Sequence, residues 1–178
     1  MPKYVALLRA INVGGHTVKM DHLRSLFAAI GFANVETFIA SGNVVFDAKS
    51  KDTQALEQKI ERHLQQELGY EVKTFLRSVP DLVAVANYKP FSDSELNTHP
   101  LYSGFIAENP SPAARQKLLA LINEIDDLHI HGREVYWLCR TTRMTDSKFS
   151  GALAEKTLGL RATFRNSTTV KKMAAKYS

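Results

Sequence analysis

The chain has 178 residues, 44% hydrophobic, 23% charged and 9% aromatic, enough for one domain or two small ones and unlike disordered, collagen-like or coiled-coil sequences. A single cysteine, Cys139, allows neither an internal disulfide nor a multi-thiolate zinc site, so a reducing, cytoplasmic setting is expected. The net charge of +5 is uneven: residues 133–178 hold ten Lys/Arg against three acids, a local +7, which leaves −2 for residues 1–132.

Residues 3–9 (KYVALLR) form an apolar, β-rich run that predicts a buried strand, bounded by Gly14 and Gly15. From Met20 the period changes: Leu23, Leu26, Phe27 and Ile30 stand at the spacing of an amphipathic helix that Gly31 can end. Two short strands, 35–40 and 43–47, flank Ser41-Gly42 and predict a hairpin with its turn there. Asp52 or Thr53 can cap the next helix, whose stripe is Leu56, Ile60, Leu64 and Leu68, with Gly69 as its stop and a strand at 71–77 after it.

A helical connector at 79–86 and a polar loop at 87–100 lead to a strand at 101–107. Ser111-Pro112 reads as a cap followed by proline at the first helical position, with Leu118, Leu121, Ile122 and Ile125 as the apolar face. A second hairpin, 128–131 with 134–140, turns at His131-Gly132-Arg133. A helix at about 147–158, a strand at 161–164 and a final helix from Ser167 complete the chain. The β-α-β-β-α-β order occurs twice, so the expected fold is α+β: two tandem ferredoxin-like halves with antiparallel sheets, plus a C-terminal helix. The expected domains are 1–78, a connector at 79–100, and 101–178.

Neither G-x-G-x-x-G nor G-x-x-x-x-G-K-[ST] occurs, and no nucleotide cofactor is expected. The loop Ile11-Asn12-Val13-Gly14-Gly15 is either a tight turn or a backbone N–H nest for an anion. Ser41-Gly42-Asn43 suits a plain hairpin turn and a polar site alike. In Arg165-Asn166-Ser167-Thr168-Thr169 one residue suffices to cap the last helix, and the surplus polar groups are those of a phosphate or carboxylate site. Ser147-Lys148 either joins that cluster or starts a surface helix capped by Asp146. His129 and His131 share one face of a strand, with only Asp126 and Asp127 near, so a solvent-facing strand edge is expected and no metal. Cys139 reads as a buried, inert thiol.

Three spaced motifs, YVALLRAINVGG, TFIASGNVVF and SKFSGALAEKTLGLRATFRNSTTVKKM, resemble the bacterial domain-of-unknown-function family numbered 1697. The first motif of that family usually has glycine where Ala10 stands, and the last has tryptophan where Ser167 stands, so an aromatic surface is missing here. The resemblance implies two ferredoxin-like halves and no assigned activity. Taken with its motifs, Arg9, Asn12, Gly14, Gly15, Ser41, Gly42, Asn43, Lys148, Arg165, Asn166 and Thr169 are expected to line one polar cleft between the halves.

The leading expectation is binding of a phosphate-bearing or other anionic ligand there, nucleic acid included, with no membrane partner: the opening apolar run is short for a signal peptide and no run approaches the roughly 18 residues of a span. One alternative is an enzyme acting on a small phosphorylated or carboxylated metabolite, for which His16 and His22 are the nearest bases. The other is a partner-binding or oligomerisation scaffold.

Overall fold

The computed structural model describes residues 1–12, 14–141 and 146–178, without the side chains of Ala40 and Ser41. It is mixed α/β, with two four-stranded antiparallel sheets and, among the described residues, seven helices. The chain divides into two compact units, Met1–Val83 with Met173–Ser178, and Ala84–Lys172.

The first unit begins with β1 (Lys3–Leu8), α1 (Met20–Ala29), β2 (Ala33–Phe38), β3 (Ala40–Asp47), α2 (Thr53–Leu68) and β4 (Thr74–Ser78), its strands ordered β2-β3-β1-β4. Alternation in β1 sends Tyr4, Ala6 and Leu8 into a core with Leu23, Leu26 and Phe27 of α1 and Leu56, Ile60 and Leu64 of α2. Each large aliphatic side chain so buried contributes about 1.5–3 kcal/mol. Asp52 caps α2 by accepting the Ala55 N–H at 3.0 Å, and Gly69 ends it at φ 84°.

The expected turn at Ser41-Gly42 is displaced. Both residues belong to β3, and the chain reverses at Ile39, which has φ 64° and is 58% exposed, while Phe38 pairs with Ala40. The Asn43 side chain, 2% exposed, donates to the Phe38 carbonyl at 3.2 Å, giving that tip an acceptor's partner from within the strand.

After β4 come α3 (Val79–Asn87), α4 (Asp93–Thr98), β5 (Leu101–Ile106), α5 (Pro112–Leu119), β6 (Asp126–His131), β7 (Glu134–Cys139), α6 (Gly151–Leu158), β8 (Ala162–Asn166) and α7 (Ser167–Tyr177). The second sheet is ordered β6-β7-β5-β8. Trp137, Ile106, Leu118, Phe149, Ala154 and Leu158 lead its core. The loop expected at 87–100 contains α4, capped by Ser92, whose hydroxyl accepts the Glu95 N–H.

The helix after Ser111-Pro112 is shorter than its apolar stripe. Asn123 Oδ1 accepts the N–H groups of Ile125 and Asp126 at 2.8 and 3.0 Å, a side-chain turn that competes with helix. Nor does α6 begin at Ser147. Ser150 caps it, while the Ser147 hydroxyl donates at 2.7 Å to Asp126, which also accepts the Trp137 indole N–H at 2.9 Å. Among the described residues no helix is long and apolar enough to cross a membrane.

Candidate functional site

In the first unit the glycine loop leaves β1 at Arg9, whose N–H donates to the Lys73 carbonyl at 2.9 Å, and passes through Ala10 at φ 58°. Ile11 and Val18 are buried beneath it, and Asn12 Oδ1 accepts the Val18 N–H at 2.8 Å. Gly14 and Gly15 take φ 63° and 82°, where side chains are strained; Val13 lies outside the described residues. The Tyr70 hydroxyl donates to the Ile11 carbonyl at 2.8 Å, and the His16 ring stacks on Tyr70 with centroids 3.9 Å apart. Asn12 therefore closes the loop. A 450 Å³ cavity beside it is lined by His16, Lys19, His22, Glu67 and Tyr70, with Gly15 the one residue of the expected set on its wall.

Gly42 and Asn43 lie in β3, with the Asn43 amide on the hairpin tip; the side chain of Ser41 lies outside the described residues. These strand residues serve the sheet, whereas Arg9 to Gly15 form the loop.

The second unit holds Lys148, Arg165, Asn166 and Thr169. Lys148 is exposed ahead of α6. Here β8 runs straight into α7, so Arg165 and Asn166 are strand residues, Arg165 paired with Ser103 of β5. Asn166 Oδ1 accepts the Thr168 N–H at 2.9 Å, the expected capping contact, and Thr169 lies half-buried in α7. Arg165 Nη1 donates to Thr163 Oγ1 at 2.6 Å and to the Phe164 carbonyl at 3.0 Å. Burial draws its guanidinium down to about 10, which leaves it cationic at neutral pH.

Beside this junction is a second 450 Å³ cavity, walled by Ser103 of β5, Ser167 and Lys171 of α7, and Asn87, Tyr88 and Asn97. Lys89 and Asp93, also on the wall, pair at 3.0 Å, so their charges offset each other. Ser103 is 2% exposed and lies on this wall. A serine hydroxyl on a cavity wall is suited to meet a ligand or water. Ser167 stands where the family resemblance places tryptophan, and its small side chain leaves this space open.

Tyr88 links the cavity wall to a half-buried imidazole. Its hydroxyl lies 2.7 Å from His129 Nε2, and its ring stacks on His131 with centroids 4.2 Å apart. Phe91 and Tyr136 complete the ring contacts of His129. Burial first, then His131 and Arg115, hold His129 below the ordinary imidazole range, with Asp127 opposing. The two histidines share a face as expected; His131 is exposed, and His129 is half-buried beside the rings of Tyr88 and Phe91. Among the described residues no three His, Cys, Asp or Glu side chains group as a metal ion would require. Sequence reasoning missed Ser103 and Tyr88; only the polar pairing of Ser103 within an apolar strand hinted at the first.

The chain is similar to a structure described as that of the conserved bacterial protein SP0830 from Streptococcus pneumoniae, with a TM-score of 0.74 and 23% identity over 99% of this chain and 98% of that one. That likeness shows a shared fold. No curated protein matches. The family model described as "Protein of unknown function (DUF1697)" matches residues 1–136, ending before the closing Arg165-Asn166 motif. The chain belongs to the DUF1697 family of proteins of unknown function.

Proposed function

We propose that the second unit binds a small phosphate- or carboxylate-bearing ligand in the cavity between β5 and the start of α7. The observation that carries this reading is Ser103, a buried serine on a 450 Å³ cavity wall shared with Ser167 and Lys171. The start of α7, from which Ser167, Val170 and Lys171 reach the wall, carries the positive end of the helix dipole, which favours an anion. Arg165, Asn166 and Thr169 of the expected set stand next to this cavity in the chain but not on its wall, and Arg165 pairs with Ser103 in the sheet. We infer also that each unit is a ferredoxin-like half; the equivalent strand orders, β2-β3-β1-β4 and β6-β7-β5-β8, support it.

A small anion suits the charge distribution better than nucleic acid. Of the ten basic residues in 133–178, Arg140 is held by Glu95 and Asp127, and Lys176 lies 3.9 Å from Glu36. All three acids come from outside that stretch. Calorimetric titration with sulfate, inorganic phosphate and small carboxylates tests the proposal. Saturable binding is expected, weakened about tenfold in Lys171→Ala or Ser103→Ala, the worth of one hydrogen bond to a charged group. It should be lost in Ser167→Trp, which fills the cavity. Absence of binding, or binding indifferent to all three substitutions, would overturn the reading.

A further inference from the structure

We propose that Tyr88 is a ligand-contacting donor of this cavity and that the proton on His129 decides whether its hydroxyl is available. The inference rests on the anion-binding reading above and adds its regulation. Two observations meet at one residue: Tyr88 is part of the wall that carries Ser103, Ser167 and Lys171, and its hydroxyl is 2.7 Å from His129 Nε2. The phenol has one proton to give. A neutral imidazole with Nε2 as acceptor takes it, and the Tyr88 oxygen then offers a cavity ligand only lone pairs, which repel an anion. A protonated imidazole carries hydrogen on Nε2 and donates to the Tyr88 oxygen, so the phenolic hydrogen turns elsewhere and can meet an anion. The one bond formed is the N–H at His129 Nε2, its proton supplied by the solvent, and Tyr88 keeps its own proton as the anion binds.

The groups around His129 allow this exchange without an acid beside Nε2 competing for it. His131 and Asp127 flank it on β6, Tyr136 faces it from β7 while Glu134 faces His131, Arg115 of α5 donates to the neighbouring Ile130 carbonyl, and Tyr88 and Phe91 lie against it. Asp127 is bound at 2.9 Å by Arg140, which also holds Glu95. Lys89 and Asp93 beside Tyr88 are paired with each other. The Tyr88 hydroxyl is therefore the nearest partner that a new proton on His129 can reorganise. Burial keeps His129 neutral until the medium is more acidic than an exposed histidine requires, so the closed form prevails at neutral pH.

The test uses the full chain and sulfate, whose charge is constant across the range. The His129 midpoint is read by NMR with and without sulfate, and sulfate affinity is measured on either side of it. The expected result is binding about tenfold tighter below the midpoint, a midpoint raised by sulfate as linkage requires, and no such step in Tyr88→Phe. His131→Gln, which removes the neighbouring imidazole, should keep the step. Sulfate binding without the step, or a step that persists in Tyr88→Phe, would overturn the proton switch while leaving the anion site standing. Absence of sulfate binding on both sides of the midpoint would overturn both.

Discussion

Ala10 occupies a backbone conformation that suits another residue. At φ 58° its side chain crowds the backbone, a strain of about 1–2 kcal/mol that glycine does not carry, and glycine is what the family resemblance places there. Ala10→Gly should raise stability by about 1 kcal/mol, after allowing for the extra freedom of glycine in the unfolded chain. Urea denaturation checks it; an unchanged or lowered midpoint would show the loop is relaxed around alanine. Asp126 is the opposite case, a polar residue satisfied from several sides. It is 0% exposed and accepts from Trp137, Ser147 and Asn123. Asp126→Ala leaves the buried indole N–H and the Ser147 hydroxyl without their acceptor, at a cost of about 2–3 kcal/mol. A loss under 1 kcal/mol in the same denaturation series would mean that water replaces the carboxylate.

In β5 a glycine is set by its neighbour's ring. A Cβ at Gly104 would lie 2.4 Å from Phe164 Cε1, and Phe164 is edge-on to both Trp137 and Phe149, with Gly151 on its other side. Gly104→Ala should therefore cost about 1–3 kcal/mol by overpacking, with near-ultraviolet dichroism reporting a disturbed Trp137; an alanine variant as stable as the parent would show that Phe164 can swing aside. The sequence made some elements plain because their signals are local. The Leu56, Ile60 and Leu64 stripe, Asp52 and Gly69 define α2 without help from distant residues. By contrast α4 buries none of its six residues, so it has no stripe to betray it, although Ser92 and Glu95 stand at capping spacing. The turn at Ile39 runs against turn chemistry, since a branched residue takes the left-handed conformation while the Ser41-Gly42 pair lies in a strand. The helix start at Ser167 and the Asn166 cap were legible for the same local reason. Tyr88 and His129 were not, because 41 residues separate two groups that meet only through the fold.

For the whole molecule, a segment's formal charge is a poor guide to its surface. The +7 of residues 133–178 includes Arg140, fixed between Glu95 and Asp127, and Arg165, half-buried in the second sheet and bonded to Thr163 and Phe164. Labelled single-stranded RNA or DNA should accordingly bind weakly even at low salt, with a shallow slope of affinity against salt. A steep slope, the mark of several phosphate contacts, would restore a nucleic-acid surface to the basic third. The fold is shared with a conserved bacterial protein at 23% identity, and the motif residues of the first unit largely close its loop and hairpin, which leaves the second unit's cavity as the better-equipped place for a ligand.

That claim is tested most directly by titrating isotope-labelled chain with sulfate and following every assigned amide by NMR. The account predicts saturable shifts centred on Ser103, Ser167 and Lys171, with the loop around His16 and His22 unmoved. Shifts centred on that glycine loop, or none that saturate anywhere, would contradict it.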